Sequence, residues 1–166
     1  MFWFTQISDA LKFTHEELHM AHRDIKIDNM LLNDQNIAKL TDFGFAKDVW
    51  DEKENKVKLS ETFCGTEPYY SPQIVAHKPY NPFCADVWAM GVVLFCMLNN
   101  KFPFHFGDSK AKFKEQSDPK FVQTRYTKEF SKDLKDIQQK LFDPKESSRI
   151  TLAVVLAHPC VKRKGK

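Results

Sequence analysis

His22-Arg23-Asp24-Ile25-Lys26-Ile27-Asp28-Asn29, followed at position 42 by Asp42-Phe43-Gly44, is the stretch on which the reading of this chain turns. Between the two segments, Met30–Leu32 is apolar, Asn33-Asp34-Gln35-Asn36 has turn chemistry, and Ile37–Leu40 alternates apolar and polar residues. This predicts a small β-hairpin, with Asp24 and Asn29 at one end of its strands and Asp42 at the other. A tight hairpin can bring such acidic sites close together. Upstream, Phe2, Ile7, Ala10, Leu11, Phe13 and Leu18 recur at mostly helical spacing, which predicts an amphipathic helix over Phe2–His19 running into His22.

Downstream, Lys47–Lys58 is highly charged without apolar periodicity and reads as an exposed, mobile loop. Phe63–Pro82 holds four of the eight prolines, so an ordered but irregular surface segment is expected there. Asp86–Leu98 reads as a helix buried in a core, broken by Asn99–Pro103. Its apolar run, Val87–Leu98, is short for a membrane span. Phe104–Arg125 is poorly periodic. Phe130–Leu141 and Thr151–Ala157 read as two further helices joined by Asp143–Arg149. The expectation is a mainly α (α+β) fold with one small hairpin.

The chain has 166 residues, enough to bury a core as one domain. Its 42% apolar residues and 15 phenylalanines exclude a disordered chain. A net charge of +3 with interleaved signs lacks the basic stripe of a nucleic-acid binder. The one basic cluster is the tail Lys162–Lys166. Cys64, Cys84, Cys96 and Cys160 show neither CxxC pairing nor metal-ligand spacing, and are read as free thiols. The N-terminus lacks the basic start and apolar run of a signal peptide, so a soluble, cytoplasmic protein is expected.

His22–Asn29 resembles the catalytic loop of protein kinases, and Asp42-Phe43-Gly44 their metal-binding triplet. The chemistry fits the residue types. Phosphoryl transfer needs a carboxylate to accept the hydroxyl proton and hard oxygen ligands to hold Mg²⁺ on the phosphates. The resemblance implies that Asp24 is the catalytic base, that Asn29 and Asp42 ligate Mg²⁺, and that Lys26 contacts the transferring phosphate of ATP in the serine/threonine pattern. Leu31 would lie on the nucleotide face.

Three later stretches add to it. Gly65-Thr66-Glu67-Pro68-Tyr69-Tyr70-Ser71-Pro72-Gln73 resembles the end of the kinase activation segment, which puts Thr66 on Asp24 and Lys26. Asp86-Val87-Trp88-Ala89-Met90-Gly91 resembles the start of the central C-lobe helix, whose Asp binds the catalytic-loop backbone; the simpler reading of Asp86 is a helix N-cap. Arg149 matches the Arg that pairs with the Glu of an Ala-Pro-Glu triplet. The resemblance runs from Phe2 to about residue 162, with the tail 163–166 outside it. Asp42–Lys47 and Leu59–Gly65 look most like the testis-specific serine kinases of the calcium/calmodulin-kinase-like group.

The sequence also departs from that pattern. Gln73 stands where the family has Glu, so a carboxylate–guanidinium pair cannot form and only a hydrogen bond from Arg149 to the uncharged amide is expected. Glu67 stands where many relatives have Pro, and reads either as a charge facing the substrate groove or as simply solvated. No Gly-rich loop precedes His22, so the expectation is a C-terminal lobe alone, with the N-lobe absent and low ATP affinity. The face around His22, Leu31 and Phe43 would then be exposed to a partner.

By the same resemblance, Arg23 would bind a phosphate on Thr62 or, second, on Ser60. Asp28 would favour basic residues N-terminal to the target, and Phe45 a serine acceptor. The leading expectation is a serine/threonine protein kinase acting on protein hydroxyls. The alternatives are a catalytically silent binding module and a fragment of a longer kinase.

Overall fold

The computed structural model describes residues 1–162; the basic tail at 163–166 lies outside the described residues. Helix α1 spans Phe2–Glu16 and ends three residues before the expected His19, which takes a left-handed φ of 52° as the chain turns. Its inward stripe is Phe4, Ile7 and Leu11, one side chain per turn. Phe2, Phe13 and Leu18 stay exposed, so they are not the face that the spacing selected. That inward face packs on strand β3 (Ala38–Leu40) and on α7 (Leu152–Ala157).

The predicted hairpin forms. Strand β2, Met30–Leu32, pairs antiparallel with β3 in the register Met30↔Leu40, Leu31↔Lys39, Leu32↔Ala38. Asn33 closes the turn by accepting the N–H groups of Gln35 and Ile37, and Asn36 supplies the left-handed residue at φ 59°.

The charged segment Lys47–Lys58 is not the loop expected of it. Lys47–Asp48 (β4) pairs with Met20–Ala21 (β1), and Trp50–Asp51 (β5) pairs with Lys56–Val57 (β6) around Asn55 at φ 49°. Three apolar residues hold this ribbon down. Val49 is buried, Val57 is half-buried, and Trp50 stacks on His19 at 4.9 Å.

Helix α2 is short, Pro72–Val75. The central helix α3 spans Pro82–Asn99, starting a full turn earlier than expected. Asn81 is its N-cap, accepting from the N–H groups of Phe83 and Cys84, with Pro82 at the first helical position. Asp86 is therefore a residue of the helix interior rather than a cap. At 18 residues and mean hydropathy 1.6, α3 is long and apolar enough to cross a membrane by length and composition. Two thirds of it is buried, and Trp88, Met90, Val92, Leu94 and Phe95 form the centre of the core. Gly91 lets α6 (Lys132–Leu141) come close: a Cβ there would lie 3.0 Å from both Leu141 and Phe142.

The poorly periodic stretch contains α4 (Ser109–Ser117), capped by Asp108, and α5 (Phe121–Thr124). Ser131 caps α6 and Thr151 caps α7, and α8 (Pro159–Lys162) ends the described chain.

Candidate active site

Asp24 is a buried carboxylate with its acceptor positions largely engaged. Thr66 Oγ1 donates to its Oδ1 at 2.7 Å. Lys26 Nζ lies 2.8 Å from Oδ2 and also donates to Thr66 Oγ1 at 3.1 Å. Asn29 Nδ2 donates to the Asp24 backbone oxygen at 2.9 Å and to Oδ2 at 3.3 Å. Burial is the largest single influence on this carboxyl and pushes its pKa up. The Lys26, Thr66 and Asn29 hydrogen bonds together outweigh it, so the pKa lies below the usual carboxylate value. Lys26 moves the other way: its bond to Asp24 raises its pKa against some burial, with help from the negative charges of Asp24, Asp28 and Asp42. The pair is an anion held beside a cation at neutral pH.

The loop carrying Asp24 is pinned from below. Asp86, 1% exposed on α3, accepts the His22 N–H at Oδ2 and the Arg23 N–H at Oδ1, both at 2.8 Å. His15 Nε2 of α1 donates to the same Oδ2 at 2.8 Å. Arg23 is thereby held at φ 66°, a conformation that costs a non-glycine residue roughly 1–3 kcal/mol. His22 is fully buried, not on the exposed face expected of it. Its Nε2 reaches the Thr41 carbonyl at 3.0 Å, so Nε2 carries the proton and Nδ1 accepts the Asp24 N–H at 3.3 Å. One imidazole thus ties Asp24 to the strand end beside Asp42. His15 was missed in the sequence, where one histidine on a helix carries no signal of its partner.

The hairpin register sets the other half of the site. Thr41 donates through both N and Oγ1 to the Asn29 carbonyl, at 2.9 and 3.1 Å, so Asn29 and Asp42 leave neighbouring strand ends. Asp42 sits at φ 59° and accepts the Gly44 N–H at 3.3 Å. A Cβ on Gly44 would lie 3.1 Å from that carboxylate oxygen. Phe43 packs on the His22 ring at 4.8 Å while 43% exposed, and Leu31 is 56% exposed.

Asn29 Oδ1 and the second oxygen of Asp42 have no donor among the described residues. No cluster of three or more His, Cys, Asp or Glu gathers among those residues either. One carboxylate plus one amide oxygen fits Mg²⁺, which takes one or two protein ligands and completes its shell with water and phosphate oxygens.

The segment after Gly65 folds onto Asp24. Gly65 takes φ 97° with its Cα against the Arg23 carbonyl; an added Cβ would sit 2.5 Å from that oxygen. Tyr69 Oη accepts the Ile27 N–H at 3.4 Å. Glu67 is not simply solvated: with its side chain 44% exposed, its Oε1 accepts the Gly107 N–H at 3.0 Å and lies 3.7 Å from the Lys112 ammonium.

Gln73 does bond Arg149, accepting from Nη2 at 3.2 Å while donating to the Pro144 carbonyl at 2.7 Å. Arg149 also reaches the carbonyls of Asp143, Cys84 and Pro144, and lies 5.0 Å over the Trp88 ring. Main-chain oxygens therefore do most of what a carboxylate would do, and burial leaves the Arg149 pKa below its usual value.

Arg23 Nε donates to the Phe45 carbonyl at 2.6 Å, and its Nη1 is buried without a hydrogen-bond partner. Ser60 is buried in a β-bridge to Tyr80, and its Oγ accepts the Thr62 N–H. The Thr62 side chain is exposed, and its carbonyl accepts from Tyr80 Oη at 2.9 Å.

The sequence matches known proteins along almost its whole length. A family model of the protein kinase domain covers residues 1–161. The chain is 32% identical over 155 residues to testis-specific serine/threonine-protein kinase 2 of Mus musculus, covering 93% of this chain and 43% of that protein. It is 31% identical over 163 residues to mouse testis-specific serine/threonine-protein kinase 1, covering 98% of the chain and 44% of the relative. It is 32% identical to CBL-interacting protein kinase 5 of Oryza sativa, over 97% of the chain and 34% of that protein. The chain thus spans less than half the length of these relatives. The likeness to testis-specific kinases expected from Asp42–Lys47 and Leu59–Gly65 is found, and with the matched domain running from Met1, just before α1, into α8, this chain belongs to the protein kinase family.

Proposed function

We propose that this chain is the C-terminal lobe of a serine/threonine protein kinase, and that the lobe transfers the γ-phosphate of ATP to protein hydroxyls when its nucleotide face is complete. The single observation carrying this reading is the Asp24–Lys26–Thr66 cluster: an ionised carboxylate with a lysine 2.8 Å away and a hydroxyl at 2.7 Å. Asp24 accepts the proton of the attacking serine or threonine and orients its oxygen. Lys26, already charged, meets the negative oxygens of the transferring group. Asn29 and Asp42 would hold Mg²⁺, which would neutralise phosphate charge when bound. Thr66 keeps the carboxylate from turning away from the acceptor.

Exposed Asp28 supports a preference for basic residues N-terminal to the acceptor. Exposed Phe45, whose carbonyl fixes Arg23, accompanies a serine preference. Thr62, exposed where Ser60 is buried, suits a regulatory phosphate better, and the partnerless Arg23 Nη1 supports Arg23 as the group that would receive it. The exposed apolar residues Leu31, Leu32 and Phe43 favour a partner or further lobe covering that face. The same surface supports a second reading, a silent module that binds peptides without transferring phosphate.

Transfer of labelled γ-phosphate to a serine peptide, with and without Asp24→Asn, decides between them. The substitution should lower the rate roughly 100- to 10,000-fold. Equal background from both proteins, with peptide binding retained, refutes the enzyme reading for this chain and leaves the binding module.

A further inference from the structure

Among the described residues Lys112 is the one buried lysine: it is 1% exposed, on a helix whose sequence otherwise looks like a solvated one. Burying an ammonium is costly unless its donors are taken up, and here they are. Its Nζ donates to the Glu67 carbonyl and lies 3.7 Å from the Glu67 carboxylate and 5.7 Å over the Tyr70 ring. One turn further along α4, Gln116, equally buried, donates Nε2 to the Tyr70 carbonyl at 2.8 Å. Glu67 returns the contact by accepting the Gly107 N–H at the entrance to α4. The inward face of α4 is therefore polar and directed at main-chain oxygens of one short segment.

That segment is the turn Glu67–Tyr69, whose N-cap is Thr66. The Tyr69 N–H bonds the Thr66 carbonyl at 3.0 Å and the Tyr70 N–H bonds the Glu67 carbonyl at 3.1 Å. Fixing the carbonyls of residues 67 and 70 fixes the peptide planes on both sides of the turn, and with them the Thr66 hydroxyl on Asp24. We propose that Lys112, supported by Gln116, is a positioning residue for the acceptor loop, so that α4 sets how the segment following Asp24's partner Thr66 is presented to a protein substrate. This rests on the kinase reading above and deepens it. Lys112 reaches Glu67 and Tyr70 rather than Asp24 or Thr66, and it acts through Glu67. Burial lowers its pKa and the Glu67 charge opposes that, as expected of an ammonium kept for a local contact.

The test is Lys112→Met, which keeps the stem and removes the donor, with Lys112→Arg as the conservative variant. Amide hydrogen exchange at residues 69 and 70 should speed up about tenfold or more in Lys112→Met, with α3 and α6 unchanged, and be partly restored in Lys112→Arg. In a protein active in phosphoryl transfer, KM for a serine peptide should rise several-fold more than kcat falls. Exchange reads the loop independently of chemistry. A chain inactive in transfer whose loop opens in Lys112→Met upholds the positioning role and sinks the enzyme reading alone. Unchanged exchange at 69 and 70 in a folded Lys112→Met overturns the positioning role whatever the activity. Should Lys112→Met not fold, Gln116→Met carries the test: it should open the same amides to a smaller degree, and unchanged exchange there is equally fatal.

Discussion

Replacing Asp86 by Asn keeps the shape of the side chain and removes its charge, and the structure sets the cost. The carboxylate accepts three hydrogen bonds in a site closed to water: His22 N–H and His15 Nε2–H at Oδ2, and Arg23 N–H at Oδ1, each at 2.8 Å. The better orientation of an amide puts its oxygen where two donors meet and turns its NH₂ toward the Arg23 N–H. One buried donor then faces another, at a cost of about 1–3 kcal/mol, and the two surviving bonds drop from charge-assisted to neutral at roughly 1 kcal/mol each. The sum is about 3–5 kcal/mol, or a fall in Tm of roughly 10 °C for a chain of this size. Part of it is returned if Arg23 leaves its left-handed φ, so the loop should loosen as stability falls. Urea unfolding with an unchanged m-value measures the first, and amide exchange at Arg23 and Asp24 the second. A loss under about 1 kcal/mol with no change in exchange would falsify the view that α3 holds the loop through this carboxylate.

Two further outcomes follow from the same geometry. Gly65→Ala combines a left-handed φ of 97° with a Cβ 2.5 Å from the Arg23 carbonyl, so it should cost about 1–3 kcal/mol or more and shift the amide resonances of Arg23 and Thr66; a variant with wild-type stability and spectra contradicts the close approach. Glu146 is half-buried, and burial raises its pKa despite the Asn81 N–H and the Arg149 charge. A raised acid favours the fold when protonated, and that contribution is lost as pH rises through the folded value. Glu146→Gln keeps an acceptor for Asn81, so its Tm should exceed wild type at neutral pH, with the margin shrinking in acid; an equal or lower Tm at neutral pH counts against it.

The hairpin and its flanking residues were legible because each signal is local. Turn residues fill 33–36, an apolar run ends at Leu32, and alternation resumes at Ile37. What pairing adds is register, which places Thr41 against Asn29 and so Asp42 beside the loop that carries Asp24. The start of α3 was misread although Asn81-Pro82 is a cap followed by a first-turn proline, because the apolar run drew the boundary inward.

Helix α4 was illegible for a physical reason. Its buried residues are Lys112 and Gln116, so a pattern based on apolar spacing has nothing to register. The ribbon over 47–58 was hidden in the same way, its few anchors diluted by charge. The buried hydrogen bond of His15 with Asp86 joins positions 71 residues apart, beyond the reach of any local pattern.

A carboxylate offers about four directions from which a proton can arrive. Around Asp24, Lys26 and Asn29 occupy those of one oxygen, and Thr66 takes one of the other's. A single approach is left. Any further proton donor to this carboxylate therefore has its line of approach fixed in advance, and a group that cannot reach Oδ1 along that line finds no open acceptor position there.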